Sequence, residues 1–127
     1  MTNDNKKAIS YIRTGGIAAI VYTIDEIHLK IKPIAEKYGL RAVYLFGSYA
    51  RGEATENSDV DFLIDTEGTS LTSLFALGAL YSDLEEVLEK GIDLITVSTL
   101  RQEIRSVSEA SFRDTVWNEK VRIYAAA

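Results

Sequence analysis

The sequence predicts an α+β fold, a mixed sheet flanked by helices. Three features carry that expectation. Two long segments place apolar residues at helical spacing, several short runs of branched and aromatic residues are bounded by glycine, and the two kinds alternate along the chain. Neither kind of element can bury its apolar side alone, so they must pack against one another around a common core.

Residues 8–22 can form short helical segments, although Gly15-Gly16 raises the entropic cost of an unbroken helix. Thr23 is suited to cap a helix over 24–37. Glu26 stands three residues on in the capping-box position, and Ile24, Ile27, Ile31 and Ile34 form an apolar stripe. Pro33 lacks the N–H that a helix interior uses and is expected to kink or split this element, and Gly39 to end it. Residues 41–46 read as a largely buried strand, broken by Gly47 and Ser48. Residues 59–65 read as the next strand, with Asp59, Asp61, Leu63 and Asp65 on one face and Val60, Phe62 and Ile64 on the other. Ser70 is expected to cap a second long helix whose apolar side runs from Leu71 and Leu74 through Leu80 and Leu84 to Leu88. Gly91 precedes a third strand over 92–97 that carries Asp93. Helices near 100–108 and 111–118 and a strand over 121–124 complete the order.

At 127 residues the chain suits one folded domain, here expected over 23–127 behind an amino-terminal extension of 1–22. A hydrophobic fraction of 46% is not that of a disordered tail. The net charge of -5 argues against a broad nucleic-acid surface but leaves room for a small phosphate site. Cysteine is absent, which excludes disulfides, thiolate metal sites and cysteine catalysis. The apolar stretch 17–24 is much shorter than a membrane span of about 20 residues, and the polar first seven residues do not begin a secretion signal. A soluble, cytoplasmic protein is expected, with no membrane contact.

The chemically informative stretch runs from Gly47 to Asp61. Gly47 lets the backbone approach a polyphosphate, Ser48 brings a hydroxyl, and neighbouring N–H groups can form an anion-binding concavity. Asp59 and Asp61 are one residue apart, so the strand period aims both carboxylates into one volume where they repel. A divalent cation offsets that repulsion, and magnesium suits carboxylate, phosphate and water oxygens. Taken alone, a D-x-D pair is usually an acidic edge facing solvent. Its coupling to the Gly-Ser turn and to Asp93 is what points to chemistry.

In these residues the chain resembles the minimal nucleotidyltransferases of the polymerase-beta-like superfamily, in particular the antitoxin enzymes found beside toxins with a HEPN domain. Gly47-Ser48, ten intervening residues, Asp59-Val60-Asp61 and a later Asp93 carry the resemblance, which extends over about 31–124. It implies a polymerase-beta-like nucleotidyltransferase fold and a carboxylate triad. Asp59, Asp61 and Asp93 hold magnesium, expected as two ions, and Asp93 also positions the attacking hydroxyl. Gly47 and Ser48 grip the outgoing phosphates. The implied reaction moves AMP from ATP to a hydroxyl, expected on a tyrosine of a cognate HEPN-domain toxin, with release of pyrophosphate. Two other readings remain open: an antitoxin that blocks its toxin sterically, and transfer to a small-molecule alcohol.

Other residues are weighed more plainly. Arg51 is read either as a phosphate ligand or as half of a turn ion pair with Glu53 or Glu56. His28, on the first long helix, is expected to be structural. Asp65 lies at the distal end of its strand and is not assigned to catalysis. Phe112, Val116 and Trp117 form a packing patch or a contact for another protein. A homo-oligomer is also compatible with a spare apolar helix face.

Overall fold

The computed structural model describes residues 11–14, 17–102 and 105–127. Strands β1 (Tyr11–Thr14) and β2 (Ile17–Ile20) pair antiparallel. This corrects the helical expectation for 8–22 wherever those residues are described. Branched residues such as Ile12, Thr14 and Ile17 favour extended structure, and a helix through this stretch would have to carry two glycines.

Helix α1 (Ile24–Tyr38) starts at the capping box. Thr23 Oγ1 accepts from the Glu26 N–H at 3.1 Å, and Glu26 Oε1 accepts from the Thr23 N–H at 2.8 Å. The helix ends at Gly39, whose φ of 65° is the left-handed conformation glycine adopts without a Cβ penalty. Pro33 does not split it: the helix runs through the proline, which lies on the exposed side, while Ile27, Ile31 and Ala35 are buried on the other. Thr23→Ala is expected to cost about 1 kcal/mol through loss of the cap. Urea denaturation checks this as a lower midpoint at unchanged slope.

The main sheet has strand order β5-β4-β3-β6, built from β3 (Ala42–Phe46), β4 (Val60–Asp65), β5 (Ile92–Thr96) and β6 (Val121–Ala125). β3 pairs antiparallel with β4 and with β6, whereas β4 and β5 are parallel. A parallel neighbour requires a crossover, and α3 (Leu74–Leu88) supplies it. Its cap is Ser73 rather than Ser70. Leu71 is buried ahead of the helix, Leu74 and Phe75 are exposed in its first turn, and the buried stripe narrows to Leu80, Leu84 and Leu88.

After β5 the chain turns directly into the short helix α4 (Val97–Leu100), capped by Thr96, and then forms α5 (Val107–Glu119), capped by Ser106. The expected helices near 100–108 and 111–118 are corrected accordingly: threonine and serine oxygens accept N–H bonds at positions earlier than the apolar spacing suggests.

The strand period divides the sheet into two faces. Val43, Leu45, Val60, Phe62, Ile64 and Ile92 point to one side, where α1 and α3 cover them in the larger core. Fully buried members such as Phe62 and Leu84 each contribute about 1.5–3 kcal/mol relative to exposure. On the other side Phe46 and Leu63 meet Val97, Leu100 and Val116 from α4 and α5 in a smaller core. Among the described residues no helix is long and apolar enough to cross a membrane.

Candidate active site

Asp61 shares the second face with Leu63, and Asp93 shares it with Ile95, so both carboxylates stand where the smaller core opens to solvent. In register, Asp61 lies between Phe46 on β3 and Asp93 on β5. Phe46 ends β3 in extended conformation, and Gly47, with φ 71°, turns the chain into the single-turn helix α2 (Gly47–Arg51). The result is an open cleft of about 470 Å³. One wall carries Gly47, Ser48 and Arg51, the floor carries Asp59, Asp61 and Asp93, and α5 forms the opposite wall with Phe112, Thr115, Val116 and Glu119. All six residues singled out from the sequence line it.

The carboxylates crowd one another. Burial, a hydrogen bond shared with Asp93, and the charges of Asp93 and Asp59 together push the Asp61 carboxyl up to about 6, with Arg51 opposing them. Two glycines make room for the acids. A Cβ on Gly47 would overlap the Asp61 carboxylate and sit 3.0 Å from its Cγ, and a Cβ on Gly91 would lie 2.6 Å from Asp59 Oδ1. Among the described residues no three ligating side chains form a ready-made metal cage. An all-oxygen set of paired carboxylates nevertheless fits magnesium, which usually takes one or two carboxylates and completes its shell with substrate phosphates and water.

Arg51 is an ion-pair residue within the cleft: its Nε is 3.0 Å from Glu53 Oε1 and its Nη1 is 3.2 Å from Glu119 Oε2. Glu119 also accepts the Gly47 N–H at 2.7 Å. The sequence reading passed over Glu119, because nothing beside it marks a site and only the docking of α5 brings it to the turn. Gly91 marks a strand boundary in the sequence, and its closeness to Asp59 depends on the parallel pairing of β4 and β5. Phe112 packs edge-on to Phe46 with ring centres 6.3 Å apart, while Val116 is fully buried. Trp117 is partly exposed beneath the Lys120 ammonium, 4.1 Å from the ring centre. His28 bonds the Ile123 carbonyl, a structural contact. Asp65 faces Arg41 at the far end of β4.

A mixed sheet with this strand order, helices on both faces and acids at the mouth of the smaller core is the architecture of a polymerase-beta-like nucleotidyltransferase. Residues 29–124 match the family model described as Polymerase beta, Nucleotidyltransferase, and the chain belongs to that family. Within it the chain is a minimal nucleotidyltransferase domain resembling the MntA-type antitoxins. It is 42% identical over 99 residues to the protein adenylyltransferase MntA of Thermococcus cleftensis, covering 75% of this chain and 95% of that protein. A candidate protein adenylyltransferase of Methanocaldococcus jannaschii is 39% identical over 101 residues, covering 79% of this chain and 97% of the other. In fold the chain is similar to a solved complex of a tri-AMPylated Shewanella oneidensis HEPN toxin with its MNT antitoxin. The TM-score there is 0.57 at 19% identity, over 82% of this chain and 74% of that one.

Proposed function

We propose that this chain is a magnesium-dependent protein adenylyltransferase that moves AMP from ATP to a tyrosine hydroxyl of a cognate HEPN-domain toxin and thereby neutralises it. The observation that carries this reading is the convergence of Gly47, Ser48, Arg51, Asp59, Asp61 and Asp93 on one cleft. The adenylyltransferase names of the relatives support the reaction, and the toxin complex of similar fold supports the class of partner.

In this assignment the Gly47 N–H, the Ser48 hydroxyl and the Arg51 guanidinium hold the β- and γ-phosphates, where charge gathers as pyrophosphate leaves. The acceptor oxygen must approach the α-phosphorus in line with the leaving oxygen, hence from the side away from that turn. Asp93, on the edge strand beyond Asp61, is the residue we assign to orient it. Asp59, Asp61 and Asp93 are the residues that would hold magnesium, whose contribution is to neutralise charge on the phosphates.

The test mixes the purified chain, magnesium, ATP and a candidate HEPN toxin, then maps modified residues by mass spectrometry. AMP is expected on a toxin tyrosine, and chelation of magnesium is expected to abolish it. A toxin that is neutralised yet carries no modification would instead identify a steric antitoxin.

A further inference from the structure

Glu119 stands in an unusual place for an acid. It is the last residue of α5, where the partial negative charge of the helix end disfavours a carboxylate. Its local helix therefore does not account for it. What holds it is the opposite wall of the cleft: Oε1 accepts the Gly47 N–H at 2.7 Å, and the Arg51 Nη1 donates to Oε2 at 3.2 Å and to Oε1 at 3.4 Å. The Glu119 side chain is 18% exposed and that of Arg51 45%, so the bond to the Gly47 N–H is partly buried while the ion pair with Arg51 lies open to solvent. A backbone N–H and a guanidinium converging on one anion are the donor set that a phosphate oxygen takes.

We propose that Glu119 is an internal competitor for the nucleotide, its carboxylate occupying in the free protein the donors that receive the triphosphate. This rests on the placing of the triphosphate at Gly47-Ser48 under the proposed function. A phosphate oxygen and the Glu119 carboxylate cannot both take the Gly47 N–H and the same guanidinium nitrogen, and their like charges repel. Nucleotide entry must turn the carboxylate out of the cleft, and Arg51 passes from one anion to the other. The arrangement keeps Arg51 and the turn ordered between turnovers and weakens the hold on any polyphosphate, including departing pyrophosphate.

The test is the affinity of the full chain for inorganic tripolyphosphate and for magnesium–ATP, by titration calorimetry. Glu119→Gln keeps an acceptor for the Gly47 N–H but removes the charge. It is expected to bind both ligands roughly tenfold more tightly, a shift of 1.4 kcal/mol. In an Arg51→Ala background most of that gain should disappear, since the two residues act through one contact. Asp65→Asn makes the same change in net charge at the far end of β4 and is expected to shift affinity less than about twofold. A merely structural role for Glu119 predicts the opposite sign, because losing a buttress weakens the site. Unchanged or weaker binding by Glu119→Gln overturns the proposal, as does a gain equalled by Asp65→Asn or an absence of tripolyphosphate binding in both wild type and variant. Failure of the adenylyl-transfer reading is seen separately, as wild-type protein that binds tripolyphosphate but transfers no AMP.

Discussion

Asp61→Asn is expected to abolish AMP transfer while making the metal-free protein more resistant to heat. The first effect follows from the position of Asp61 at the centre of the acid cluster, between β3 and β5. Under the proposed function, in which Asp61 would hold a cation against the reacting phosphate, its removal should cost about 4 kcal/mol of transition-state stabilisation, about a thousandfold in rate. The second follows from the raised Asp61 pKa. A carboxyl pushed up to about 6 by burial and by neighbouring acids is harder to ionise folded than unfolded. Its stabilising contribution is thus complete below the ordinary carboxylate range and is lost as pH rises through about 6. Asparagine does not ionise, so the variant escapes that loss. The gain in melting temperature should be small near pH 4 and reach about 3 °C by pH 7. Scanning calorimetry at both pH values, in chelator, together with labelling of the toxin, checks the pair. A variant that loses activity and also melts lower at pH 7 would show that Asp61 supports the fold rather than strains it.

Gly47→Ala is expected to cut transfer by more than about a hundredfold and to destabilise the fold by about 1–3 kcal/mol. Two penalties meet at this residue. Its φ of 71° is strained for alanine, and the new methyl group would overlap the Asp61 carboxylate and displace it from its place between β3 and β5. Gly52→Ala separates the two: its φ is 74°, but a Cβ there meets nothing within 4 Å. That variant should show the backbone penalty alone and retain transfer. Toxin labelling measured beside urea denaturation reads both, and equal losses of activity in the two variants would contradict the steric part of the argument.

Much of the fold was legible in the sequence because its signals are local. Thr23 and Glu26 announce a capping box within four residues, Gly39 ends the same helix, and the alternation from Asp59 to Asp65 declares which residues share a face. The split that Pro33 allows does not occur, because an exposed proline deprives a helix of one bond while the buried Ile27 and Ile31 before it continue to favour the helix. Ser70 misled because several serines and threonines precede α3, and only the course of the chain decides that Ser73 receives the Ala76 N–H. In the cleft, Gly47, Ser48, Asp59 and Asp61 could be found together because a turn and a strand join them within fifteen residues. Asp93 needed the further inference of a neighbouring strand. Glu119 had no such route, since its meeting with Gly47 is 72 residues distant along the chain and is created entirely by packing.

The sheet acts as a partition. Behind it lies the larger apolar core, and in front of it α5 borders the cleft over a thinner apolar layer to which α4 contributes Val97 and Leu100. Substitutions at the cleft-lining positions of α5 that are not buried, such as Phe112 and Thr115, are therefore expected to leave the rear core intact. The cleft and the larger core thus occupy opposite sides of one wall, with only the smaller core beneath the cleft.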